Sequence, residues 1–212
     1  MAGIPHGRGE RRGTDAYIGQ TESRNSRVRE IPRRDEWMIS PFRAYGSDQT
    51  SATGYGQTLR VALLPWLEHG LEARFARLRV TTSNAGSYVR SCIYRLETDE
   101  GVRRFVKVPS TETLFLGDST GVKTSELPDT ATLRPGVRYF LGAYVSNASI
   151  GISSGVNTSQ RVVPVKTLSS GIASSSATKL PASVTVASMT NSFGSYVPWV
   201  VYMSSLAKEI LT

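Results

Sequence analysis

The feature that most constrains this chain is a two-residue alternation of apolar and polar side chains, broken at short intervals by turn residues. Phe75-Ala76-Arg77-Leu78-Arg79-Val80-Thr81 sets apolar against basic residues at every second position, the pattern of a strand with one wet face. Tyr88 to Leu96 repeats it, with Val89 and Ile93 on one face and Tyr88, Cys92, Tyr94 and Leu96 on the other. Asp99-Glu100-Gly101 predicts a hairpin turn into Val102 to Val108. Leu133-Arg134-Pro135-Gly136 places Pro-Gly at the centre of a type II turn, leading into the strand Val137 to Ser146. Leu59 to Leu64, Thr113 to Leu116, Gly121 to Glu126, Val184 to Ala187 and Val197 to Met203 supply further strand-like runs. Leu206 to Leu211 reads as a short helix or a tail, and the Ser, Gly and Asn of 147–160 and 167–181 read as loops. Seven to nine short strands at this spacing predict an all-β fold: an antiparallel β-sandwich, jelly-roll-like, with an extended N-terminal arm. Leu78, Val80, Val89, Ile93, Tyr139 and Leu141 are its expected core, and Arg77 should face the other way.

The pattern starts late. Residues 1–45 hold nine Arg, no Lys and six acids, with little apolar periodicity before Ile31. Such a stretch buries too little apolar surface to offset its ordering entropy. It is expected to be an extended basic anchoring arm, followed by a linker at 46–58 and the sandwich at 59–212. Within the arm, Arg24, Arg27, Arg29, Arg33, Arg34 and Arg43 accompany Trp37 and Phe42, residue types enriched in protein interfaces. These eight are the candidate partner-binding residues. Two readings stay open for the cluster from Ile31 to Tyr45: an anchor in a partner, or an N-terminal strand of the chain's own sandwich.

Composition argues against most enzyme classes. One cysteine, Cys92, leaves no internal disulfide framework and no Cys-rich zinc site. Two histidines, His6 and His69, leave little for His-based catalysis or metal binding. Gly151-Ile152-Ser153-Ser154-Gly155 fits G-x-S-x-G literally, but no helix pattern and no later His accompany it. Glu68, His69 and Glu72 read as a solvated turn, Asp99 and Glu100 as hairpin chemistry, and Cys92 as an inert core thiol. No catalytic residue, metal or cofactor is expected. The first thirteen residues lack an apolar h-region and no window suits a membrane span, so neither an export leader nor a membrane partner is expected.

The formal charge is +8, and Arg supplies 20 of the 25 cations. In the arm the arginines alternate with Glu10, Asp15, Glu22, Glu30, Asp35 and Glu36. Mixed Arg and acid clusters suit bidentate pairing with carboxylates on a protein partner better than phosphate binding. The balance therefore argues for a protein partner over nucleic acid.

Two stretches carry a family resemblance: Val89-Arg90-Ser91-Cys92-Ile93-Tyr94, and Leu133-Arg134-Pro135-Gly136-Val137-Arg138-Tyr139-Phe140-Leu141. With the strand from Phe75 to Thr82, they resemble jelly-roll virion proteins of tailed bacteriophages, the head-fibre, decoration, collar and tail-fibre type. The similar part spans about residues 59–150. The resemblance implies a non-enzymatic structural protein located in the virion. Its arm would bind capsid, collar or tail subunits, and the protein would form a homo-oligomer in the particle. Alternatives are a carbohydrate- or receptor-binding sandwich module and a nucleic-acid-binding protein acting through its arm.

Overall fold

The computed structural model describes residues 38–41, 49–52, 57–155, 165–168, 179–191 and 197–204. All belong to one compact unit, Arg34–Thr212. Its strands are β1 (Met38–Ile39), β2 (Gln49–Ala52), β3 (Leu59–Leu63), β4 (Leu71–Thr82), β5 (Tyr88–Asp99), β6 (Val102–Lys107), β7 (Thr113–Leu116) and β8 (Gly121–Leu133). They continue with β9 (Tyr139–Val145), β10 (Gly151–Gly155), β11 (Val165–Leu168), β12 (Ser183–Thr185), β13 (Thr190–Asn191), β14 (Val197–Pro198) and β15 (Val200–Met203). A 3-10 turn, Val186–Ser188, follows β12.

Eight of these strands form a jelly roll. They nest as antiparallel pairs, outermost first in the chain: β1 with β15, β3 with β9, β4 with β8, and β5 with β6. The innermost pair is the hairpin expected at Asp99–Gly101, where Glu100 and Gly101 take φ of 46° and 79° and form a two-residue loop. Rolling the nested pairs gives sheet A, ordered β1-β15-β4-β8, and sheet B, ordered β6-β5-β9-β3. Among the described strands, the chain changes sheet between β2 and β3, β3 and β4, β4 and β5, β7 and β8, β8 and β9, β9 and β10, β10 and β11, and β13 and β14. The antiparallel β-sandwich read from the sequence is therefore the observed fold.

The expected core is also observed. Leu78, Val80, Val89, Ile93, Tyr139 and Leu141 are all buried in one cluster between the sheets. Alternation delivers them there: each strand turns one face inward, as a period-two pattern requires. Gly136 takes φ of 77°, the conformation required at the third position of the expected Pro-Gly turn.

Several regions depart from the sequence reading. The stretch 147–160, expected as a loop, contains β10, which pairs with β4, β2 and β14. Its Ser and Gly composition resembles a loop, yet Gly151 has a packing reason. A Cβ there would press into Thr81 and Thr82. The stretch 167–181, also expected as a loop, begins within β11, which pairs with β3 and β13. Gly121 to Glu126 is only the first part of β8, which runs on to Leu133. Two strands, β1 and β2, come from residues assigned to the arm and the linker. Met38 and Ile39 pair with Met203 and Tyr202.

The outer face of sheet B and part of the outer face of sheet A are buried as well. On sheet B, Leu59, Val61, Cys92, Tyr94, Phe105 and Tyr144 are buried with Leu180, Val184 and Met189 from the segment before β15. That segment pairs with β6 through β12 and, five residues later, with β11 through β13. Five residues span at most about 17 Å, whereas a flat sheet would separate those positions by about 29 Å. Sheet B must therefore curl until its margins approach, closing a second core around Tyr94 and Phe105. On sheet A, Met38, Trp199, Val201 and Met203 form a third cluster with Phe75.

Candidate interaction surface

The eight candidate partner-binding residues, Arg24, Arg27, Arg29, Arg33, Arg34, Trp37, Phe42 and Arg43, lie outside the described residues. The chain between Trp37 and Phe42 is described. Met38 and Ile39 are buried in β1, with Ile39 in the inter-sheet core and Met38 in the outer cluster of sheet A. This stretch therefore enters the sheet at its β1 margin.

The nucleophilic and ionisable residues singled out above are dispersed. Ser153 is buried within β10, in a strand rather than on the strand-to-helix turn that a nucleophile elbow needs. Cys92 is fully buried, and burial pushes its thiol well above the ordinary range. Its neighbour Tyr94 is pushed up by burial too, and its hydroxyl donates to the carbonyl of Pro181 at 2.9 Å. Glu68 and His69 are exposed in the β3–β4 loop, and Glu72 is exposed at the start of β4. Among the described residues no three His, Cys, Asp or Glu side chains group as metal ligands. Among them, too, no helix is long and apolar enough to cross a membrane.

The polar centre that does assemble is one the sequence reading missed. Glu112 receives Arg90 at 3.2 Å on one oxygen and Lys107 at 2.5 Å on the other. The first oxygen also accepts the Leu180 backbone N–H at 2.8 Å, while Lys107 donates to the Leu180 carbonyl at 2.8 Å. Both polar groups of one backbone position are thus gripped by side chains. Together with the Tyr94 contact, they fasten residues 180–182 over the outer face of sheet B. Charge-assisted bonds of this kind are the stronger class. Nothing in the spacing of Arg90, Lys107 and Glu112 announces it, because the fourth partner is a backbone group 68 residues away.

Among the described residues, a small set of large apolar side chains is exposed. Leu114 and Leu116 lie on β7 and Val122 on β8, whereas Trp66 sits in the β3–β4 loop and Val102 at the hairpin. On β4, the register sets Arg77 opposite Thr124 and Arg79 opposite Val122 on the outer face of sheet A. Arg77 donates through Nε to Thr124 Oγ1 at 3.2 Å. Compared with known proteins, the chain matches no family model and no curated protein.

Proposed function

We propose that this protein is a non-enzymatic structural subunit of a virus particle. Tailed-phage decoration, collar and fibre proteins are the family its strands resemble. The observation that supports this reading best is the nested pairing of β1–β15, β3–β9, β4–β8 and β5–β6 into two facing four-stranded sheets. Jelly rolls of this kind build viral capsid domains as well as lectins. The sandwich would be the body of the subunit. The Arg-rich segment ahead of β1 would be its anchor in neighbouring capsid, collar or tail subunits, with Trp37 just before β1 and Phe42 just after it as apolar contacts. The test is mass spectrometry and cryo-electron microscopy of purified particles from cultures making the protein. A stoichiometric chain and an eight-stranded jelly roll at regular positions are expected. Absence of the chain from the particles overturns the reading.

A second reading, a carbohydrate- or receptor-binding module, draws on Trp66, which is 52% exposed in the β3–β4 loop. An exposed aromatic ring offers a sugar an apolar stacking face. Glycan-array binding that Trp66→Ala abolishes would favour it, and an empty array would remove it.

A further inference from the structure

Sheet margins invite pairing with other chains, and natural proteins blunt them by keeping edge strands short, charged or covered. Here β1, β2, β7, β12, β13 and β14 are two to four residues long. β8 differs. It has 13 residues, and among the described residues it pairs only with β4. Its second half is blunted: residues 127–130, with Pro128, stand opposite Arg74 alone, and Ser110 donates to Asp129 across them. Its first half, Gly121 to Glu126, stays in regular register with β4 and has no proline. The one lysine there does not guard the margin, because Lys123 turns back to Ser119 and Asp118. Val122, on this stretch, is the most exposed large apolar side chain among the described residues, at 58%.

We infer that this edge pairs with the same edge of a second copy, joining two A sheets into one. A two-fold axis through an antiparallel strand pair brings residues of the same face together. Three registers place the axis near the middle of the regular stretch. Centring on Lys123 would oppose two lysines, which is unfavourable. Centring on Ser125 would oppose Val122 to Pro128, where the strand has left the ladder. Centring on Thr124 opposes Thr124 to Thr124, Lys123 to Ser125, and Val122 to Glu126, all within the regular stretch. In that register each Glu126 approaches the other copy's Arg79, because Val122 stands between them and Arg79 is its partner on β4. The pairing thus covers Val122, adds backbone hydrogen bonds along a margin that pairs only with β4 among the described residues, and joins opposite charges. It needs only the fold, so its failure leaves the particle reading to its own test.

The experiment is site-directed cross-linking of the full-length chain. In Thr124→Cys, mild oxidation should produce a covalent dimer on non-reducing gels. The parent protein should produce none, since Cys92 is fully buried. Thr132→Cys, an exposed site beyond the bulge on the same strand, should stay uncoupled. Thr124→Lys should lower the solution mass by sedimentation equilibrium, whereas Thr132→Lys should not. The inference is overturned by a Thr124→Cys protein with native circular dichroism that stays monomeric on oxidation. Equal cross-linking at both sites also overturns it, as random collision.

Discussion

Ser91 Oγ and Tyr202 Oη lie 3.0 Å apart in the middle of the sandwich, joining two sheets across a sequence separation of 111 residues. Ser91 faces inward from β5 and Tyr202 from β15. The phenol also donates to the Thr111 carbonyl at 2.9 Å, and the Thr111 hydroxyl accepts from the Ile93 N–H at 3.0 Å. A buried hydroxyl costs several kcal/mol when unpaired, so the three residues hold one another in place.

Tyr202→Phe keeps the ring and removes the hydroxyl, leaving the Thr111 carbonyl and Ser91 without this partner. The expected loss is about 1–3 kcal/mol, the cost of a buried group left unsatisfied. Urea denaturation of Tyr202→Phe, Ser91→Ala and the double variant tests this. The double variant should be more stable than the sum of the two single losses implies.

Stability should fall in alkali. Burial raises the Cys92 thiol from an ordinary 9.0 and the Tyr94 and Tyr202 phenols from an ordinary 10.0. The folded state therefore keeps protons that the unfolded chain gives up. The contribution is complete below pH 9, declines as the unfolded groups ionise, and is lost as pH rises through the raised folded values. Thermal midpoints from pH 7 to 11 should be level at first and then drop. Tyr202→Phe should drop less steeply above pH 10.

The curled face of sheet B requires a glycine at 142. A Cβ there would overlap the Tyr94 ring and come within 3.3 Å of Cys92 Sγ. Gly142→Ala should cost about 1–3 kcal/mol through overpacking. Gly70→Ala, whose nearest neighbour would be the Leu133 carbonyl at 3.5 Å, should change chemical denaturation little.

Glu112 should govern how firmly residues 180–182 stay on sheet B. Glu112→Ala removes the acceptor for the Leu180 N–H and both cationic partners. Amide hydrogen exchange at Leu180 should rise at least tenfold, the equivalent of about 1.4 kcal/mol, with the inter-sheet core still protected. Unchanged exchange at Leu180 would mean that the apolar contacts of Leu180, Val184 and Met189 hold the segment alone.

Core and surface positions on the sandwich should separate cleanly. Ile93→Ala, fully buried between the sheets, should cost about 2–5 kcal/mol. Arg77→Ala, on the outer face, should stay within about 0.5 kcal/mol, as both are read by thermal or urea unfolding.

The sequence by itself determined the class of fold and much of its inner face. Alternation is local, so it placed Leu78 and Val80, Val89 and Ile93, and Tyr139 and Leu141 on one side of their strands before any partner was known. Turn chemistry is local too, and it located the hairpin at Glu100–Gly101 and the turn at Pro135–Gly136. Tertiary structure decided what lies far apart in the chain. Ser153 and Ser154 are buried in a strand because β4, β2 and β14 supply the hydrogen-bonding neighbours that their composition does not suggest. The second face of β5, with Cys92 and Tyr94, is buried only because a later segment crosses it and closes the curl. Glu112 became a clamp through Leu180, 68 residues away, and β1 became the partner of β15 by a contact that spans most of the chain. Strand pairing joins backbone groups that are alike at every residue, so the partner of each strand follows from how all the faces are buried together.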